Sequence, residues 1–411
     1  MRQLKRINTN TAIVISMVLG VAAGLIGGEA MGQIQFIGDI FFRLVQMGIV
    51  PFVMCAIVVA VGGLTARDLS GIGIKGIAWF ASSSILASLC GIFAATVFQP
   101  GAGLADTELV QNAATTAEAT ATTWQDTILG FFSSNIISSM SAGAMVPCIV
   151  FAIALGLAIT FWRTAHGGSC LVFDVVQELE QLLLGIIRGV MTIAPVGIFC
   201  YVSAMVGSLG AEVLVPLVKY LLVLGGTVLV FLVVWIVVVC VRCGFNPARL
   251  VAKMWPMSVM ALGTISSAVT LPVEMEDAKR KLGLRDDIAD LLLPLGMPLN
   301  SNGASIHLAV TAITIAQIYG MTFAGFDYLY LAIICTLLSL ANAVAPGADI
   351  VSLTMIVPQL GLPLSSIGIF AGLTYPVGAI RTILNVDSDV FCALMVAKGE
   401  PNGINRELFD S

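Results

Sequence analysis

Apolar residues run along this chain in long blocks separated by short polar seams. The first blocks fall at roughly 11–28, 36–63, 76–99, 128–162, 172–207 and 212–241. Each reaches the length, about 18 residues, that an α-helix needs to cross a bilayer. The fourth is too long for one simple span. It carries Ser134, Asn135, Ser138, Ser139 and Gly143, so a broken helix is expected there.

After residue 245 the pattern changes. Segments shorten and carry Pro, Gly, Ser and Asn in their middles. An apolar helix is expected over 248–262, then a hydroxyl-rich tip, TISSAVTLP (264–272), ended by Pro272. The strongly charged arm VEMEDAKRKLG follows. Neither arm can span the hydrocarbon alone, so the pair reads as a re-entrant hairpin. The block 287–320 could span, but PLGMPLNSNGAS interrupts it. A helix broken at membrane depth is tolerated where its freed backbone groups line protein or a wet cavity. The same events then recur: an arm at 328–342, a Pro/Gly tip in ANAVAPGAD (341–349), a short arm at 350–360 and a span at 366–397. The intervening crossing reverses direction, so the two units are inverted pseudo-repeats. Broken elements meeting in inverted repeats are the mark of secondary transporters.

Composition strengthens the reading. Of 411 residues 58% are hydrophobic and 10% charged, too few charges to solvate a soluble protein of this size. The chain is expected to be an all-α polytopic membrane protein, not a β-barrel. Arg2, Lys5 and Arg6 precede the first span, and Arg67, Lys75, Arg242, Arg249, Lys253, the 279–285 cluster, Lys398 and Arg406 fall in later seams. Gly101–Gln125 has no Lys or Arg but holds Asp106, Glu108 and Glu118. The positive-inside rule therefore puts both termini in the cytoplasm and that loop outside. The N-terminal segment reads as an uncleaved first helix. Arg43, Arg188 and Lys219 read as snorkelling or subunit-interface cations, and the nine cysteines as free thiols.

The chemistry concentrates in GAIRTILNVDSD (378–389), where Arg381, Asn385 and Asp389 recur every four residues and form one polar stripe on a helix. Such a stripe in a membrane is costly unless paired or wet. Asp389 suits Na⁺, which takes hard oxygens and a compensating charge, with Asn385 and carbonyls from the 296–300 break as further ligands. Arg381 offers a planar fork for a carboxylate. Ser266 and Ser267, at the first tip, stand where backbone amides face an anion, or they cap helix ends. His307 reads as a packed histidine, with proton coupling as the rarer alternative. The 274–281 stretch reads as a solvated arm with pairs such as Glu276–Lys279 and Glu276–Arg280. No GxSxG elbow, metal triad or Ser/His/Asp set supports an enzyme.

Four segments in order resemble the dicarboxylate/amino acid:cation symporter family, the glutamate-transporter fold. They are Ser266, Ser267, Thr270, Leu271 and Pro272; Asn300-Ser301-Asn302-Gly303-Ala304; Pro346-Gly347-Ala348; and Arg381, Thr382, Asn385 and Asp389. FQPGAGL, at the end of the third span, is similar too. The resemblance implies eight transmembrane helices plus two re-entrant hairpins, a homotrimer and elevator transport. It implies six N-terminal helices over 1–245, mainly scaffold but with the third and sixth attached to the transport domain. The transport core is then 246–398, with a cytoplasmic tail over 399–411. It places Na⁺ at Gly296, Asn300, Asn385 and Asp389, and substrate at Ser266, Ser267, Asp349, Arg381, Thr382 and Asn385. A weaker second Na⁺ site falls on Ser83, Ser84 and Asn302.

The departures from the family pattern change the expected cargo. Asn302 replaces an Asp and Phe80 a Tyr, which removes charge from the second site and implies fewer coupled ions. Ala304, Asp349, Gly378 and Ile265 replace, in turn, a Thr, a Gly, an Asp and an Arg around the substrate. The leading expectation is Na⁺-coupled symport of a C4-dicarboxylate or acidic amino acid across a bacterial cytoplasmic membrane. A neutral serine- or threonine-like amino acid, with Asp349 pairing Arg381 or taking the ammonium group, and proton-coupled dicarboxylate symport stay open.

Overall fold

The computed structural model describes residues 9–65, 71–102, 129–209, 214–321, 323, 325–340, 348–362, 366–371 and 373–411. Among them the named elements are all helical. The first half holds α1 (Thr9–Gly27), a 3-10 turn (Gly28–Ile34), α2 (Gln35–Gly62), α3 (Gly71–Phe98), α4 (Ile136–Ser141), α5 (Met145–Ala165), α6 (Leu171–Met191), α7 (Ala194–Leu209) and α8 (Leu214–Cys243). The second half holds α9 (Pro247–Thr264), α10 (Ser267–Arg280), α11 (Asp286–Leu299), α12 (Asn302–Ile318), α13 (Phe326–Leu340), α14 (Ala348–Gln359), α15 (Ser366–Ala371), α16 (Thr374–Ala397) and α17 (Arg406–Asp410).

The fourth block is broken, between α4 and α5. The fifth is broken as well, against expectation: α6 and α7 meet at a 53° bend. The sequence there, GVMTIAPVG, carries Pro195 four residues after Met191. Pro195 has no N–H to bond Met191 O and its ring crowds that carbonyl, so the helix stops at Met191 and restarts with Pro195 in the first turn of α7. Ile15–Phe41, Gly71–Phe98, Met145–Ala165 and Val215–Cys243 are each long and apolar enough to cross a membrane. Their many exposed leucines, valines and phenylalanines, such as Leu222 and Phe93, suit a lipid surface.

Two packing groups emerge. α1 lies on α7, and α2 on α5, α6 and α7. α3, α8, α9, α10, α11 and α13 instead gather around α12 and α16. These two helices are the centre of the fold: α12 is buried on every side from Asn302 to Ala316, and α16 nearly so from Val377 to Ala397.

The first hairpin is α9–α10, and its turn is tighter than the sequence suggests. Ile265 alone adopts the left-handed conformation (φ 52°), and Ser266 already caps α10 through Val269 N–H at 3.4 Å. Pro272 lies inside α10 and does not end the tip. The charged arm also corrects expectation. Glu274 and Asp277 are buried with Ser267, Thr270 and Ala278, because positions 267, 270, 274 and 277 form one helical face. The recorded pairs are Lys281–Asp277 at 2.6 Å and Lys279 with Asp290, not Glu276 with its neighbours.

Lys219 and the tail are likewise better tied than expected. Lys219 Nζ donates to Gln99 O at 2.9 Å and so holds the C-terminal end of α3. The tail returns to the base of the hairpin: Phe409 is buried and stacked on Phe245 at 3.7 Å, and Arg406 donates to Cys243 O and Gly244 O, each at 2.9 Å. All nine cysteines are free.

Candidate substrate and cation site

The site starts at the break between α11 and α12. Pro294 and Pro298 remove two helical N–H donors from α11. The helix ends with Asn300 N–H donating to Gly296 O at 2.7 Å, and it resumes at Asn302. α12 starts with no side-chain cap of its own, since Ser301 makes none. Asn385 of α16 supplies it: its Oδ1 accepts from Gly303 N at 2.8 Å and Ala304 N at 3.3 Å. A residue expected as a ligand thus spends its side-chain oxygen on holding the broken helix.

Asn300 links three helices. Its Nδ2 donates to Asp389 Oδ1 at 2.8 Å, and its Oδ1 accepts from Ser83 Oγ of α3 at 2.9 Å. Asp389 and Asn300 are each 1% exposed. Gly296 faces the same carboxylate, because a Cβ there would lie 2.8 Å from Asp389 Cγ and Oδ1. Gly296, Asn300 and Asp389 are therefore brought together as the sequence suggested. Ser83, Ser84 and Asn302 also converge: Asn302 Oδ1 accepts from Ser84 Oγ at 2.9 Å and lies 3.3 Å from Ser83 Oγ. This second cluster is neutral, and Asn302 Nδ2 has no hydrogen-bond partner among the described residues.

Arg381 is buried one turn from Asn385, and its backbone touches the start of α12. A Cβ on Gly303 would lie 2.1 Å from Arg381 O, so only glycine fits. Thr382 Oγ1 donates to Gly378 O at 2.7 Å, a local helix bond. Ser266 and Ser267 sit at the first hairpin's tip, where Ser266 O also accepts from Thr270 Oγ1 at 2.9 Å. Asp349 falls in the first turn of α14, but its side chain and the 341–347 tip lie outside the described residues.

Sequence reasoning missed several residues. Cys392 Sγ lies 3.7 Å from Ser83 Oγ and 3.8 Å from Asn300 Nδ2. Its spacing, three after Asp389 and seven after Asn385, puts it on the polar stripe. Asp387 accepts from Ser258 Oγ of α9 at 2.8 Å, and Glu274 is buried on α10, which packs against α16.

The profile of the sodium:dicarboxylate symporter family matches residues 10–399. The chain belongs to this family. Curated relatives run nearly its full length. A proton/sodium-glutamate symport protein of Bacillus caldotenax is 29% identical over 406 residues, 97% of this chain and 96% of that one. A proton/glutamate-aspartate symporter of Escherichia coli K12 is 30% identical over 371 residues, 88% of this chain and 84% of that one. A third, the proton/sodium-glutamate symport protein of Geobacillus stearothermophilus, is 28% identical over 406 residues. Family membership and the apolar helices make this a multi-pass membrane protein.

Proposed function

We propose that the chain is a secondary active symporter carrying a small carboxylate, an acidic amino acid or C4-dicarboxylate, together with Na⁺. The observation that carries the reading is the Asn300 bridge. A buried carboxylate, Asp389, is held beside the helix break between Leu299 and Asn302. A buried acid beside an interrupted helix suits a hard monovalent cation, which supplies the compensating charge. Asp389, Asn300 and the Gly296 carbonyl would hold that cation as cargo. Arg381 would take the carboxylate of the substrate. Ser266 and Ser267 would face it from the first hairpin, Thr382 and Asn385 from α16, and Asp349 from the second hairpin.

The relatives' names carry both protons and sodium, and Na⁺ is favoured here by the Asp389–Asn300–Gly296 arrangement. The second cluster favours fewer ions. Asn302 adds no charge, and its oxygen already accepts from Ser84 Oγ. The packing of α3 and α8 with the second half fits a division into a scaffold of α1, α2 and α5–α7 and a moving domain around α12 and α16. In that arrangement a homotrimer in a bacterial cytoplasmic membrane would move the domain as an elevator.

Arg381→Ala tests the clamp. Uptake of the acid is expected to fall by about 100-fold or more, as for removal of a buried charged partner, while Na⁺ binding, read by ion-dependent thermal shift, is retained. Equal uptake in parent and variant would exclude the clamp.

A further inference from the structure

A groove of about 810 Å³ opens to the outside of the fold between α3 and α8. Its walls are apolar, and Leu86, Phe93, Leu222 and Val230 are each more than half exposed there. Along α8 it runs from Lys219 to Val234, about 22 Å at the helical rise. One leaflet's share of the hydrocarbon is about 15 Å, so the groove crosses one leaflet and passes the midplane. Volume over length gives a mean section of about 37 Å². A helix with its side chains is about 10–12 Å across, twice that section or more. An extended acyl chain fits the groove, and a neighbouring helix does not. Two features set the groove apart from the rest of the lipid-facing surface. Gly226 lines it, and a Cβ built on Gly226 meets nothing within 4 Å among the described residues. Packing within the chain therefore does not call for glycine there, in the middle of a helix that glycine weakens. The second feature is charge. Lys219 is the one charged lining residue and stands at the groove's end, beside the C-terminus of α3, with its Nζ on Gln99 O at 2.9 Å. An ammonium has three N–H groups, and no carboxylate pairs with this one among the described residues.

We infer that this groove is a site for one anionic phospholipid: an acyl chain lies along α3 and α8 past Gly226, and the headgroup phosphate accepts from Lys219. The Gln99 carbonyl holds the ammonium where α3 leaves the hydrocarbon, at headgroup level, while the lysine stem lies on apolar surface. The lining has no Asp or Glu to receive the cationic part of a zwitterionic headgroup, which would instead stand against Lys219. The choice of an anionic lipid follows. α3 and α8 both pack on α12 and α16, so the lipid braces the helices that hold the site. The inference concerns neither the cargo nor the coupled ion, and stands or falls apart from them.

The test takes the full-length protein, delipidated in detergent, and titrates it with dioleoylphosphatidylglycerol or dioleoylphosphatidylcholine. Native mass spectrometry counts the lipids bound per chain. The parent is expected to take one phosphatidylglycerol per chain about fivefold more tightly than phosphatidylcholine, the effect of one basic residue on an anionic headgroup. That lipid should also raise the parent's unfolding midpoint. Gly226→Phe puts a ring into the groove where no described neighbour stands in its way. It should abolish both the binding event and the stabilisation, with the midpoint of the lipid-free protein unchanged. Lys219→Gln should bring phosphatidylglycerol down about fivefold, to the level of phosphatidylcholine, and Lys219→Arg should keep the preference. Equal binding of both lipids by the parent and by Gly226→Phe would make the groove ordinary lipid surface and overturn the inference. A Gly226→Phe protein that keeps its lipid but changes oligomeric mass would give the groove to a second copy of the chain, and overturns it too. Loss of both lipids alike in Gly226→Phe, with no response to Lys219→Gln, would overturn the headgroup contact and with it the anionic lipid.

Discussion

Gly296 is the plainest residue-scale test of the ion cluster. Alanine there sets a methyl 2.8 Å from the Asp389 carboxylate, closer than packed atoms tolerate. Gly296→Ala should destabilise the protein by about 1–3 kcal/mol and displace Asp389, so the Na⁺ concentration for half-maximal uptake rises. Thermal unfolding and Na⁺ titration of uptake read both effects, and a variant with unaltered Na⁺ response would remove Gly296 from the site. Arg381, Asn385 and Asp389 were legible in the sequence because one-turn spacing in an apolar helix leaves polar groups few structural uses. Cys392 was not, because a thiol in an apolar run looks like filler until Asn300 and Ser83 are placed beside it. Glu274 was hidden by its charged neighbours, since a run of charges masks which face is buried.

At the scale of elements, the break in 286–318 was readable from prolines, glycines and asparagines at membrane depth. What the sequence could not reveal is how the second half-helix is held. Its cap comes from another helix, through Asn385, about eighty residues away in the chain. Asn385→Ala should cost about 1–3 kcal/mol and raise hydrogen exchange at Gly303 and Ala304 more than elsewhere. Protection at these amides equal to the parent's would show that the cap is dispensable. The α6–α7 bend escaped prediction because its flanks are uniformly apolar, and only Pro195 hints at it. Pro272, by contrast, looked like a terminator, yet α10 runs through it to Arg280 and gives up only the N–H that would bond Ala268 O.

At the scale of the whole molecule, the hydrophobic blocks disclosed a helical membrane protein, and the motifs its family. The chain's ends were less legible. Residues 399–411 are polar enough to suggest a loose tail, yet Phe409 packs fully against Phe245 and the hairpin base. Phe409→Ala should lower stability by about 3–5 kcal/mol, seen as a lower unfolding midpoint, with substrate affinity unchanged. A midpoint like the parent's would mean the tail is not part of the folded unit.

The most direct test of the central claim is uptake of radiolabelled glutamate, aspartate and succinate into proteoliposomes under separately imposed Na⁺ and H⁺ gradients. Accumulation of at least one of these acids is expected under an inward Na⁺ gradient, and loss of that accumulation in Asp389→Asn. The Hill coefficient for Na⁺ should stay below about three, since it cannot exceed the number of coupled sites and Asn302 weakens one of them. Accumulation driven only by the H⁺ gradient, or no accumulation of any acid under either, would contradict the account.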